Sequence, residues 1–252
     1  MRYLIFLLPF VLQSCGTYFY LPTKQTVMVF EEKGDAVLSG NKGLFFLQSG
    51  ISAGYAFTDH LGVYSSFNKF DISEFGESDR FIKDYIWDNE LILYRKQKGG
   101  IYTALNLGLG VGELGLGNSY YKLGLNRQFI QPTLGYNFSN KTYITLSSRL
   151  TRLGYNFKSF VDSNNAYDVS MSKLFFNVND LLSQDHYLFE PALTTGYTFD
   201  FIKLEFQYLQ ILKSHKRKFS LLEGNLSTTL SINFNKFFKG KNAKVEKLRW
   251  SL

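Results

Sequence analysis

Stretches of about ten residues in this chain alternate apolar and polar side chains with a period of two, and the apolar set carries almost no charge. From Ile202, one face reads Ile202, Leu204, Phe206, Tyr208 and the other Lys203, Glu205, Gln207. A helix would mix these sets, because neighbours on a helical face stand three or four apart. From Ile101 the outward set is Ile101, Thr103, Leu105, Leu107, Leu109, Val111, and the inward set is Tyr102, Ala104, Asn106, Gly108, Gly110, Gly112. The segments Tyr187 to Phe199 and Leu226 to Phe234 repeat the pattern, and it recurs more weakly in Phe45–Phe57, Leu61–Phe70, Tyr85–Tyr94, Ile130–Phe138 and Thr142–Leu150.

A soluble lipocalin-like barrel or β-sandwich would hide its apolar face and expose its charges. Here the charges fall on the face rich in Gly, Ser, Thr and Asn, which is inside-out for a soluble protein. The chain of 252 residues is 17% aromatic, with 17 Tyr and 25 Phe. That load suits aromatic girdles at two membrane interfaces. Beyond Leu12 no run approaches the length of an apolar transmembrane helix, so a chain that spans a bilayer does so with strands.

Connections give the strand count. Thr58-Asp59-His60, Lys98-Gly99-Gly100, Asn140-Lys141 and Asp200-Phe201 are tight turns that belong on one side, the periplasm. Long polar connections around 72–84, 117–126, 158–185 and 214–224 belong outside. Nine segments with that assignment require an upward strand before the first, and Asp35 to Ser39, ending in a turn Gly40-Asn41-Lys42-Gly43, fills the place. The expected fold is all-β: a closed antiparallel up-and-down transmembrane β-barrel of about ten strands. Such a barrel has little free bore.

The N-terminus adds a lipoprotein signal. Arg2, an apolar core from Leu4 to Leu12, and Leu12-Gln13-Ser14-Cys15 are the layout of a removed secretory segment with the chain's single cysteine at the cut. Cys15 would carry the lipid, and two or more acyl chains hold a protein on a membrane. The expected organisation is a signal peptide over 1–14, a lipidated periplasmic tether over 15–30, a barrel over 31–238 and a basic periplasmic tail over 239–252. Tyr18, Phe19, Tyr20, Pro22 and Phe30 make the tether too aromatic for a free spacer, so it is expected to pack on the barrel rim or on another protein. No acidic signal follows Cys15, so the lipid is expected in the periplasmic leaflet with both mature termini periplasmic.

Candidate sites follow from the faces. Glu90, Asn106, Gln131, Arg149, Glu190, Lys203, Glu205 and Gln207 point into the expected lumen, and charges of both signs there should pair. Lys213, His215, Lys216, Arg217 and Lys218 cluster in an outer loop, where lipopolysaccharide phosphates lie; Lys and Arg donors bind phosphates well. Asp185-His186 at the outer rim has the composition of the acid–histidine pair of omptin-like outer-membrane proteases, but adjacent strand residues point to opposite faces. No spacing marks a serine nucleophile with a histidine base. No cofactor or metal is expected, and the single Cys excludes disulfides and thiolate clusters. Export removes the opportunity to meet nucleic acid despite a net charge of +7.

Cys15, then Tyr20-Leu21-Pro22, Phe30-Glu31-Glu32-Lys33-Gly34-Asp35 and Tyr55-Ala56-Phe57-Thr58-Asp59-His60-Leu61-Gly62-Val63 together resemble the small β-barrel lipoproteins of Bacteroidota outer membranes. The resemblance covers mainly the first quarter of the chain. It implies an outer-membrane barrel, often without assigned activity and sometimes an accessory subunit of assembly or secretion machines. The functional expectation is a non-enzymatic structural or accessory subunit of an envelope complex, with a protein partner in the membrane or periplasm. The alternatives are a small-solute or lipid transport barrel and an outer-rim hydrolase acting on protein or lipid.

Overall fold

The computed structural model describes residues 20, 22–27, 30–43, 48–71, 83–97, 99–116, 121–139, 141–160, 182–213 and 224–238. The strands are β1 (Ala36–Gly43), β2 (Gln48–Ala56), β3 (Leu61–Asp71), β4 (Lys83–Lys96), β5 (Ile101–Leu116), β6 (Tyr121–Asn137), β7 (Thr142–Phe160), β8 (His186–Phe199), β9 (Ile202–Gln210) and β10 (Gly224–Asn233). Each pairs antiparallel with the next, and β10 returns to β1 in the register Leu38↔Ile232, so the ring is closed. A short piece, Leu212–Lys213, pairs with β8 as Phe189↔Leu212, the same register as Ala192↔Leu209. It is β9 resuming past the gap at Pro191, which has no N–H to give the ladder. The barrel therefore has ten strands.

Tight turns mark one end. Gly99 and Gly100 have φ of 85° and 84°, and Asp200 has φ of 49°, the left-handed conformations that short hairpins demand. At the opposite end, strands run further than the alternation predicts. The expected turn Gly40–Gly43 is instead the end of β1, because Gly40↔Ile51 and Gly40↔Leu230 continue its ladder on both sides. The expected loop 117–126 shrinks to 117–120 because β6 starts at Tyr121, and β7 runs on to Phe160. The connections 72–82, 161–181 and 214–223 lie outside the described residues.

Outward faces are apolar through the belt: Leu107, Leu134, Leu146, Leu193 and Leu230 are exposed, while Asn106, Thr133, Ser147, Thr194 and Thr229 are buried. Two aromatic girdles bound it. Tyr55 with Phe57 and Tyr136 with Phe138 stand exposed near the tight turns, and Trp87 and Tyr187 stand exposed towards the other end. From Tyr187 to Phe199, β8 rises roughly 30 Å at about 3.3 Å per residue and a tilt of about 40°. That is the thickness of a bilayer's hydrocarbon layer.

Beyond the second girdle the polarity reverses. In the upper parts of β5 to β8, Leu114, Leu123, Leu125, Leu153 and Leu188 turn inward and are buried. Outside them, Glu113 pairs with Lys122 (3.6 Å) and Lys158 (3.2 Å), and Arg152 pairs with Asp185 (2.6 Å). This extension obeys the rule for water, with a greasy inside and a charged outside. The reversal explains why alternation missed the start of β6: Asn126 and Gln128 face outward there.

If the belt faces acyl chains, Leu146→Arg at mid-belt should cost about 2–4 kcal/mol in a refolding titration into bilayers. Asn126→Arg, on the outward face above the belt, should cost less than about 0.5 kcal/mol. Equal costs at the two sites would contradict the assigned bilayer position.

Candidate functional site

The lumen is occupied by the chain's own lead. Residues Tyr20, Pro22, Thr23, Gln25, Thr26, Val27 and Phe30 are buried inside the ring. The tether expected at the rim or on a partner is thus corrected for these residues: they are the filling of the barrel.

Extended backbone inside a closed ring has no strand to pair with, so its polar groups need side-chain partners. The wall supplies them. Gln207 accepts from the Gln25 N–H (2.7 Å) and donates to the Gln25 carbonyl (3.0 Å), a carboxamide standing in for a neighbouring strand. Asn106 (3.3 Å) and Gln131 (2.6 Å) donate to the Thr26 carbonyl, Arg149 (3.2 Å) to that of Lys24, and Asn225 (2.9 Å) to that of Pro22.

The lead's side chains complete the network. The Tyr20 hydroxyl donates to Glu190 (3.0 Å) and accepts from Arg127 (2.8 Å). The Thr23 hydroxyl accepts from Arg127 (2.8 Å) and Arg149 (3.0 Å), and the Thr26 hydroxyl donates to Glu90 (2.8 Å). Ser147 donates to the Gln25 side chain (2.7 Å). Arg127 makes a two-point contact with Asp88, and both guanidinium groups lie against the Phe129 ring, at 5.2 and 4.6 Å. Lys24 bonds Glu205, which also accepts from Tyr143 and meets Lys203 at 3.3 Å. The wall thus brings Arg127, Arg149 and Lys203 against Asp88, Glu90, Glu190 and Glu205, and Lys24 is the cation that evens the balance.

At the tight-turn end the filling becomes apolar. Phe30 packs with Val37, Ala56, Tyr64, Ile92, Tyr94 and Tyr102, its ring 5.8 Å from that of Tyr94. Gly54 and Gly62 make the seat: a Cβ on Gly62 would lie 2.4 Å from the Phe30 ring. Below it, Asp35 accepts from the Glu31 (2.7 Å) and Glu32 (3.1 Å) N–H groups, and Asp59 accepts from Lys33 N–H (2.8 Å). Glu31 takes a hydrogen bond from Lys236 (2.5 Å), in the helical turn over 234–238, and faces Lys96 at 3.3 Å. Partial burial works to raise the Glu31 carboxyl pKa, but the Lys236 bond and the charges of Lys96 and Lys236 outweigh it and hold the group below its usual range. An acid held low stabilises at neutral pH, and that contribution is lost as pH falls through the lowered value.

Of the residues placed in the lumen by alternation, Glu90, Asn106, Gln131, Arg149, Glu190, Glu205 and Gln207 are buried in this one network, and Lys203 is half-buried at its lower edge. Arg127 and Asp88 were not singled out. Asp88 shares parity with Glu90 and was readable; Arg127 lies between the expected loop, 117–126, and the expected strand from Ile130. Of the basic cluster, Lys213 ends the resumed strand, while His215, Lys216, Arg217 and Lys218 lie outside the described residues, as does Cys15. Asp185 and His186 separate. The carboxylate turns out to Arg152, and His186 is buried inside with its ring edge-on to Tyr155 at 5.7 Å.

No protein-family model matches this chain, and no curated protein matches it. Solved structures it resembles include outer-membrane expressed OmpT of Vibrio cholerae (14% identity, TM-score 0.32, covering 74% of this chain and 56% of that one). A loop L8 deletion mutant of the same outer-membrane protein gives 12% identity and a TM-score of 0.34 over 74% of this chain and 53% of that one. The chain therefore spans little more than half the length of the proteins it matches.

Arg127→Met should lower thermal stability in detergent by about 3–5 kcal/mol, because it leaves the Asp88 carboxylate buried without its partner. Adding Asp88→Asn to that variant should restore part of the loss; a double variant no better than the single one would contradict the pairing. Titrating the protein from pH 7 into the acid range should expose the 234–238 turn to proteolysis before the barrel unfolds, and Glu31→Gln should show that exposure already at pH 7.

Proposed function

We propose that this chain is an outer-membrane β-barrel lipoprotein, acylated at Cys15, that serves as a structural or accessory subunit of an envelope complex and neither conducts solutes nor catalyses a reaction. The observation that carries this reading is the lumen itself. A lead held by main-chain hydrogen bonds, charge pairs and an aromatic base occupies the volume a permeant would need. Near the tight-turn mouth, the cavity beside Lys24, Glu31 and Lys203 is about 30 Å³, room for a water molecule. A barrel anchored by its own belt needs no lipid to stay in the membrane. A lipid on such a protein serves orientation, sorting or assembly, and those are properties of a subunit.

Two features supply contact chemistry. Lys213, Lys216, Arg217 and Lys218 offer donors to lipopolysaccharide phosphates. The tail from Lys239 carries Lys241, Lys244, Lys247 and Arg249 before Trp250, a basic segment with an aromatic end suited to anionic headgroups or an acidic partner surface. Against a rim hydrolase stands the pairing of Asp185 with Arg152 on the side of the strand away from His186.

Affinity purification from detergent-solubilised native membranes should retain at least one other envelope protein in fixed proportion. A strictly monomeric product would count against the subunit role. In planar bilayers the full chain should give no unitary current, whereas deletion of residues 16–30 should open conducting steps. Steps from the full chain at neutral pH would favour the transport reading.

A further inference from the structure

The direction of the lead has a topological result. Lys33 is held at the tight turn by Asp59, Phe30 sits on Gly54 and Gly62, and Thr26 is held at mid-wall by Glu90 and Gln131. Thr23 and Tyr20 meet Arg127, and Pro22 meets Asn225, the second residue of β10 at the long-connection end. Read towards the N-terminus, the described residues climb from the tight turn at Lys33 to Pro22 beside Asn225, and the Tyr20 hydroxyl reaches the same Arg127 as Thr23. From Asn137 up to Arg127, β6 rises roughly 25 Å at about 3.3 Å per residue and a tilt of about 40°.

We infer that the chain before Tyr20, Cys15 included, leaves the barrel at the long-connection end, so that the lipidated N-terminus is displayed on the outer surface with its acyl chains in the outer leaflet. Even fully extended, the residues from Tyr20 back to Cys15 span at most about 18 Å, at up to about 3.6 Å each. That is shorter than the climb, so Cys15 cannot return to the tight-turn end. The way back is also filled, by the lead itself and by the Phe30 cluster. The consequence reverses the expectation of a periplasmic lipid: the barrel carries its own anchor through its centre, and no acidic export signal is needed to place it. This rests on reading Cys15 as acylated and the barrel as an outer-membrane one.

Single-cysteine labelling with a membrane-impermeant maleimide tests it on the full chain in cells. The variants are Thr17→Cys beside the anchor, Ser163→Cys in a long connection, Lys141→Cys in a tight turn, and Ser251→Cys near the C-terminus. Thr17→Cys should label on intact cells to the same extent as Ser163→Cys, whereas Lys141→Cys and Ser251→Cys should label only after the envelope is opened. Thr17→Cys behaving like Lys141→Cys would overturn the inference. Failures of the underlying reading look different. If Ser163→Cys is silent and Lys141→Cys labels on intact cells, the barrel is inverted. Labelling of the unsubstituted protein after denaturation would mean that Cys15 bears a free thiol; the threading would then still be decided by Thr17→Cys against Lys141→Cys, with the acyl chains removed from the claim. Heat-modifiable migration of each variant on gels verifies that the barrel formed.

Discussion

A closed ring of strands has a single interior, and each polar group aimed into it must find a partner there. An unmet buried donor or acceptor costs about 1–3 kcal/mol, and an unpaired charge costs more. Ten strands of this composition point Arg127, Arg149, Asp88, Glu90, Glu190, Glu205, Gln131 and Gln207 at one another across a narrow space. Water fills such a space in wide barrels. Here the chain fills it with a segment of itself, and the carboxamides of Gln207, Asn106 and Gln131 act on the lead's backbone as a neighbouring strand would.

That arrangement makes the lead part of the fold. Lys24 evens the charge of the wall, Thr23 links the two arginines, Tyr20 joins Arg127 to Glu190, and Phe30 closes the tight-turn end. Its partners are spread from Asp35 to Lys236, so the docking of the lead waits on strands from the whole chain. Contacts of such sequence separation form slowly. A ring that closed empty would have to admit the segment through a bore lined with unpaired charge.

Much of the barrel was legible because its physics is periodic. Leu204, Phe206 and Leu230 alternate with Glu205, Gln207 and Thr229 since one face meets lipid and the other the lumen, and Gly99-Gly100 and Asp200 announce their hairpins by backbone chemistry. What escaped follows from the loss of those signals. Gly40-Asn41-Lys42-Gly43 has the composition of a turn, yet ladder bonds to both neighbours keep it extended. Above the belt the polarity inverts, so Arg127 on the inward face of β6 sat in a stretch without a recognisable period. The lead was the hardest to read. An extended segment surrounded on all sides has no face to alternate, and the partners that satisfy Thr23-Lys24-Gln25-Thr26 come from β4, β5, β6, β7, β8 and β9, far away in sequence.

Occupation of the lumen by the lead is open to a direct geometric test. The side chains of Gln25 and Ser147 touch at 2.7 Å, with the lead on one side and the inner wall of β7 on the other. In the folded protein in membranes, a Gln25→Cys, Ser147→Cys pair treated with a short thiol-bridging reagent should yield an internally linked species that migrates anomalously after full denaturation. Gln25→Cys paired with Leu146→Cys, one residue away on the lipid face, should not. Linkage absent from the first pair, or equal in both, would contradict a lead seated inside the barrel.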